Sequence, residues 1–227
     1  MVVRLICVLL VPVLATAEPS ALERDARTLL RPEGLAGITL SLGAAALAHP
    51  WDNDLVGHID NKMLGPVLDV GNSFFETQYC VGTVAAVWGG SKVLDFAEVD
   101  AASGAVLRAL VLSSAMVGSL KLTLGRTRPD GSSGLSFPSG HSANAFAIAT
   151  ILARRYGYRI GVPLLTLATT VPAARIHEGH HFFSDVVGGA ILGMMAGWAV
   201  DRERDGNLAL APVYIEGTLI LCVRWRN

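Results

Sequence analysis

Apolar and polar positions fall in blocks along the chain, and the apolar blocks have the length of helices. They run over roughly 35–48, 77–90, 105–124, 142–155, 160–175 and 185–200, divided by breakers such as Pro50, Gly125, Pro129, Gly157 and Gly161. Strands usually stop at about eight residues, so blocks of this length predict six helices. Residues 18–33 read as a polar stretch with no element of their own. The tail is different: 208–215 and 218–225 are short, partly β-branched apolar runs on either side of Glu216-Gly217. That pattern predicts a hairpin. The expected fold class is therefore all-α, a six-helix bundle over 18–206, followed by a C-terminal hairpin or tail over 207–227. Residues 1–17 carry Arg4, an apolar run and then Ala15-Thr16-Ala17, the pattern of a secretory signal with a small-residue cleavage site.

Composition narrows the function classes. The 227 residues are 52% hydrophobic and 16% charged, and Lys+Arg 18 against Asp+Glu 19 leaves a net charge of -1. Without a basic surplus the chain has little with which to neutralise a run of phosphates, which disfavours nucleic acid as a partner. Cys7, Cys80 and Cys222 have no zinc-site spacing and are too few for a disulfide scaffold, so they are not the functional groups; Cys80 and Cys222 are either two buried thiols or a pair formed in an oxidising compartment. The stretches free of charged residues, 77–91, 109–120, 142–153, 160–174 and 186–200, fall short of the roughly twenty residues of a membrane span, and only 34–51 comes close. Gly189, Gly193 and Gly197 form a small-residue ridge that suits close helix packing in a membrane or in a soluble bundle.

Three blocks hold nearly all the polar residues of the apolar second half, each at a helix end. The first, 121–129, ends a helix at Gly125 and carries Lys121 and Arg128. The second, Phe137-Pro138-Ser139-Gly140-His141-Ser142, opens the next helix. Unpaired N–H groups and a positive dipole end at such a terminus, with small Ser139 and Gly140, make an anion cradle. The third, 175–185, contains Arg175, His181 and Asp185. Lys121, Arg128 and Arg175 together suit the equatorial oxygens of a phosphoryl group. His181 and Asp185 stand at i and i+4, so the carboxylate can hold one imidazole nitrogen while the other faces a ligand. Arg126, His49 and His58 read as ordinary satisfied groups. His177 and His180 lie near the site by spacing and have a minor role at most, while Glu178 either biases the proton balance of the site or is merely solvated.

In order and spacing these blocks resemble the signature K-x6-RP, PSGH, R-x5-H-x3-D of the type 2 phosphatidic acid phosphatase and vanadium haloperoxidase superfamily. The resemblance covers about 104–200, and Ala174 departs from it where a serine commonly precedes the arginine. It implies that His181 attacks phosphorus to form a phosphohistidine, with Asp185 fixing its tautomer. It implies that His141 protonates the leaving oxygen and then activates water. Lys121, Arg128, Arg175, the Ser139 hydroxyl and the Gly140 N–H would hold the phosphoryl oxygens, with no metal or cofactor.

The short helices and the eight-residue gap between Pro129 and Pro138 resemble the lipid phosphatase branch. The substrate expected is a phosphorylated lipid such as phosphatidic acid or an isoprenoid or lipid A phosphate. The alternatives are a soluble periplasmic acid phosphatase acting on small phosphomonoesters, a phosphoryl transferase, a haloperoxidase and a non-catalytic phosphate-binding module. Arg154, Arg155 and Arg159 in the turn opposite the site place that turn in the cytoplasm and the site outside, in the cell envelope. Counting six spans from an exported N-terminus gives the opposite side, so the two topological arguments conflict.

Overall fold

The computed structural model describes residues 19–56, 77–202, 208–215 and 218–225. The expected signal over 1–17, His58 and the Glu216-Gly217 turn lie outside the described residues. Helices dominate: α1 Pro19–Leu29, α2 Pro32–Ala48, a 3₁₀ turn His49–Trp51, α3 Asp52–Leu55, α4 Thr77–Val93, α5 Ala97–Leu124, α6 Gly140–Tyr156, α7 Tyr158–His177 and α8 Phe183–Val200. The strands β1 Leu208–Ile215 and β2 Thr218–Trp225 pair antiparallel, with Leu208 opposite Trp225 and Ile215 opposite Thr218.

Seven described helices have eleven or more residues, one more than the hydrophobic blocks predict. The additional one is α1, inside the stretch read as polar. Leu22, Ala26 and Leu29 recur at i, i+4 and i+7 and pack on the main core, while Glu23 and Arg27 pair on the exposed side. A stripe that narrow disappears in an average over the segment. α5 likewise begins eight residues earlier than its apolar block, because Glu98 and Asp100 occupy its first turn, where acidic groups complement the helix dipole. Arg108 of α5 donates to Asp25 of α1 at 2.7 Å and ties the two helices.

α8 runs through the middle of the bundle, against α6, α2, α5 and α1. The core between them contains Leu110, Ile151, Ala109, Ala147 and Ala196. The glycine ridge of α8 sets how closely α6 approaches. A Cβ on Gly189 would stand 2.3 Å from the Ser139 carbonyl oxygen and one on Gly193 2.0 Å from that of Ala143. Only hydrogen fits at either position.

At the far end of this pair Arg154 donates to the Asp201 carbonyl at 3.0 Å and Arg155 to the Asp201 carboxylate at 2.8 Å. Both arginines are largely buried ties between helix ends; Arg159 beside them is exposed. Two described helices, Ala97–Leu124 and Phe183–Val200, are long and apolar enough to cross a membrane. The charge-free stretches had pointed to 34–51 instead; the helix there, α2, has 17 residues. Cys80 is buried.

Candidate active site

Each motif block ends up where the local chain geometry sends it. α5 stops at Gly125, which caps it in the left-handed region at φ 57° with its N–H on the Lys121 carbonyl at 3.1 Å. The loop after it closes on itself, Arg128 N–H to Ser133 O at 3.0 Å and Ser136 N–H to Arg126 O at 2.8 Å. Lys121 reaches across to the Leu135 and Ser136 carbonyls of that loop. Ser139 is the N-cap of α6, fully buried, with its hydroxyl 3.2 Å from that of Ser142. The first N–H groups of α6, Gly140 included, have no acceptor within the helix itself.

The third block is a turn folded back on Arg175. The N–H groups of both His180 and His181 donate to the Arg175 carbonyl, at 3.1 and 3.2 Å, with Gly179 at φ 67° making the reversal. Asp130 N–H bonds the Gly179 carbonyl at 3.1 Å, which joins the first block to the third. Ser139 N–H bonds the Asp185 carbonyl at 2.9 Å, which joins the second block to the third.

Asp185 is completely buried and its carboxylate is the centre of the arrangement. Oδ2 accepts from Ser136 Oγ at 2.5 Å and from the Phe182 N–H at 2.9 Å, and it stands 3.6 Å from His181 Nδ1. The imidazole is thus presented edge-on to the carboxylate, slightly beyond a direct hydrogen bond, and such contacts tighten when a ligand arrives. Burial holds His181 well below the usual imidazole range, down to about 4, against the opposing pull of Asp185. The ring is neutral at pH 7 and can act as a nucleophile.

His141, in the first turn of α6, lies near His181 and the three cations. Burial, then the charges of Arg175, His181, Arg128 and Lys121, push it down to about 3. Arg175, His181, Arg128 and Lys121 acting on one imidazole mean that the structure brings the predicted residues of all three blocks together. The buried Nε of Arg128 has no hydrogen-bond partner, and Nη1 of Arg175 donates to Glu178 Oε2 at 2.8 Å. Three cations, two histidines and a helix N-terminus thus lie together, a set whose chemistry suits a phosphoryl dianion.

The sequence reading missed Arg126 and His49, which it set aside as ordinary groups, and Asp52, which it did not single out. Arg126 donates to Asp185 Oδ1, to Ser184 Oγ and to Asp52 Oδ2, each at 2.7 Å. Its position two residues before Arg128 was the available signal. For Asp52, more than 70 residues upstream, there was none. Glu178 and His180 are not merely solvated, since His180 Nδ1 lies 2.9 Å from the Glu178 carboxylate that holds Arg175.

Comparison with known proteins fits this geometry. Residues 103–203 match the PAP2 superfamily. A lipid A 1-phosphatase of Porphyromonas gingivalis is 41% identical over 91 residues, 39% of this chain and 20% of that protein. A lipid A 4'-phosphatase of Bacteroides thetaiotaomicron is 36% identical over 66 residues, 29% of each chain. The matched part of the chain thus spans less than a third of the length of either relative. Among solved structures, a transmembrane PAP2-type phosphatidylglycerolphosphate phosphatase from Bacillus subtilis superposes with a TM-score of 0.59 at 22% identity, over 76% of this chain and 96% of that one. LpxE of Aquifex aeolicus superposes with a TM-score of 0.57 at 22% identity, over 69% and 95%. At that identity the likeness establishes a shared fold.

Proposed function

We propose that the chain, whose residues 103–203 match the PAP2 superfamily, is a phosphohydrolase that removes the phosphate from phosphorylated lipids through a phosphohistidine, with the histidines and cations of the site sufficing for the chemistry. The observation that carries this reading is the convergence of a neutral, carboxylate-oriented His181 and of His141 on a space ringed by Lys121, Arg128 and Arg175. Binding alone needs cations and amides. An oriented nucleophile facing an acid serves turnover.

In this mechanism the phosphoryl group sits at the α6 N-terminus, its equatorial oxygens on the three cations, the Ser139 hydroxyl and the Gly140 N–H. His181 Nε2 attacks phosphorus, the ester P–O bond breaks, and its electron pair leaves on the alcohol oxygen, which takes a proton from His141. Water then attacks the phosphohistidine while His141 accepts its proton, and the N–P bond breaks to release phosphate and free His181. Burial, and after it the surrounding cations, hold His141 neutral. A bound phosphoryl dianion offsets those same charges and favours the protonated acid.

A lipid substrate is supported by the relatives, which act on lipid A, and by the outer surface of the bundle. Leu47 on α2, Val93 on α4 and Leu122 on α5 are 75%, 84% and 81% exposed, and Ile160, Val162 and Leu167 line the outside of α7. Apolar residues of this size around a whole bundle suit contact with acyl chains. Leu122 and Leu135 stand beside Lys121, so a lipid could enter from the bilayer with its phosphate leading. The protein would then be an enzyme of the cell envelope with its site facing the outside. The test is phosphate release in EDTA from lipid A, phosphatidic acid and a water-soluble phosphomonoester, with His181→Ala as control. Release from the lipids that vanishes in the variant is expected. A preference for the soluble ester would move the enzyme to the soluble acid phosphatases, and no release from any substrate would overturn the reading.

A further inference from the structure

The segment that joins α2 to α3 lies outside the three motif blocks and outside the matched residues 103–203, yet it sends a carboxylate to the rear of the active site. Asp52 is 2% exposed. Its Oδ1 accepts from the Ser184 N–H at 2.7 Å, and its Oδ2 accepts from Ser184 Oγ at 2.7 Å, from Arg126 Nη2 at 2.7 Å and from His49 Nδ1 at 2.6 Å. Arg126 in turn donates through Nη1 to Asp185 Oδ1 and stacks over the Phe182 ring, 4.2 Å from its centre. The chain of contacts Asp52, Arg126, Asp185, His181 is continuous and, up to the rim at His49, buried or half-buried.

Two functions of Asp52 can be separated. It caps the N-terminus of α8, because the Ser184 N–H is one of the donors that the helix itself leaves free. It also sets the charge behind the nucleophile. Two carboxylates against one guanidinium leave the Asp52, Arg126, Asp185 group with a net charge of -1. Positive charge develops on the His181 ring as it attacks phosphorus, and a net negative group behind Nδ1 stabilises it. If Asp185 alone faced Arg126 the group would be neutral. In a buried site that difference is felt strongly.

We propose that Asp52, acting through Arg126 on Asp185, is a positioning residue for the nucleophilic histidine. This inference rests on the phosphohydrolase reading of the site for its kinetic test and on geometry alone for its spectroscopic one. Asp52→Asn is the informative variant, because the amide oxygen can still cap Ser184 while the charge is gone. With purified full-length protein in detergent and a lipid phosphate, kcat of Asp52→Asn falls about ten- to a hundredfold, the range seen when outer partners of an active histidine are removed. KM and vanadate affinity stay near those of the wild type, and the melting temperature falls no further than in Arg126→Gln, because both variants break the same buried ion pair. In an Arg126→Gln background Asp52→Asn adds no further loss, since the effect travels through the guanidinium. Ser184→Ala, which removes one hydroxyl and no charge, loses less than Asp52→Asn.

A second readout needs no turnover: ¹⁵N NMR of the histidine side chains at neutral pH. Wild-type His181 carries its proton on Nδ1, towards Asp185, and Asp52→Asn mixes the two tautomers. Unchanged kcat in Asp52→Asn overturns the proposal, as does a loss matched by equal losses in melting temperature and in vanadate affinity, which would make Asp52 a cap only. A wild type that releases no phosphate from any lipid refutes the phosphohydrolase reading instead. The proposal is then decided by the tautomer of His181, and an identical spectrum in the variant overturns it.

Discussion

Ser139 donates its backbone N–H to the carbonyl oxygen of Asp185 at 2.9 Å, so the residue that caps one helix is held by the residue that opens another. The contact exists because α6 and α8 approach until backbone meets backbone, and Gly189 and Gly193 permit that approach. The anion cradle and the nucleophile's carboxylate are consequently parts of one rigid corner.

This corner yields a first prediction. Gly193→Ala places a methyl carbon 2.0 Å from the Ala143 carbonyl oxygen, and Gly189→Ala one 2.3 Å from that of Ser139. Backbone oxygens cannot move aside as a flexible side chain can, so the helices separate. Overpacking of this kind costs about 1–3 kcal/mol. Both variants should melt lower than the wild type, and Gly189→Ala should also lose kcat, because it lies against the cradle itself. Gly82→Ala in α4, where a Cβ meets nothing within 4 Å, should melt at or above the wild-type temperature. Thermal denaturation of the three side by side checks the assignment.

A second prediction concerns the nucleophile. His181→Ala should abolish turnover and the acid-labile phosphoenzyme together. Asp185→Asn should reduce kcat by about 10²–10⁴, because an amide fixes the wrong tautomer, as it does where a histidine is oriented by a buried aspartate in serine proteases. It also removes the partner of Arg126 Nη1, so part of the loss should appear as a lower melting temperature. Rapid quench with ³²P-labelled lipid separates phosphoenzyme formation from its hydrolysis.

The three motif blocks, the ends of their helices and the two strands of the hairpin were legible in the sequence because each is written locally. Gly125 stops α5, Ser139 caps α6, and 208–215 and 218–225 are partly β-branched apolar runs. α1 was not legible, since its inward face is three residues wide and its other positions are polar. Asp52 was not legible for a different reason. Its partners Arg126 and Ser184 lie 74 and 132 residues away in the chain, and nothing in its own neighbourhood marks an aspartate that will be buried.

pH dependence supplies a third prediction. Burial holds His181 at about 4 and His141 at about 3, both below the ordinary value of 6.5. Between about 4 and 6.5 the unfolded chain therefore binds protons that the folded protein does not, and stability must fall as the pH falls through that window. The melting temperature should drop from pH 6.5 towards pH 4, and the drop should shrink in a His181→Gln, His141→Gln double variant. Over the same window His181 stays neutral, so the acid limb of kcat/KM set by the nucleophile should lie near pH 4 rather than near 6.5.

The last prediction follows from the cations. Arg128 has a buried Nε without a partner, and Arg175 gives one of its nitrogens to Glu178 at 2.8 Å, so the site holds unneutralised positive charge together with a carboxylate that competes with an incoming anion for Arg175. Orthovanadate or inorganic phosphate should raise the melting temperature with a concentration dependence that reports its affinity. Arg128→Ala should abolish the shift, because the orphaned donor is the group that the anion completes. Glu178→Gln keeps a hydrogen bond to Arg175 and removes the competing charge. It should bind vanadate more tightly than the wild type and lower KM for a dianionic substrate. A Glu178→Gln variant with weaker vanadate binding would instead make the carboxylate a support that Arg175 needs in order to face the phosphoryl group.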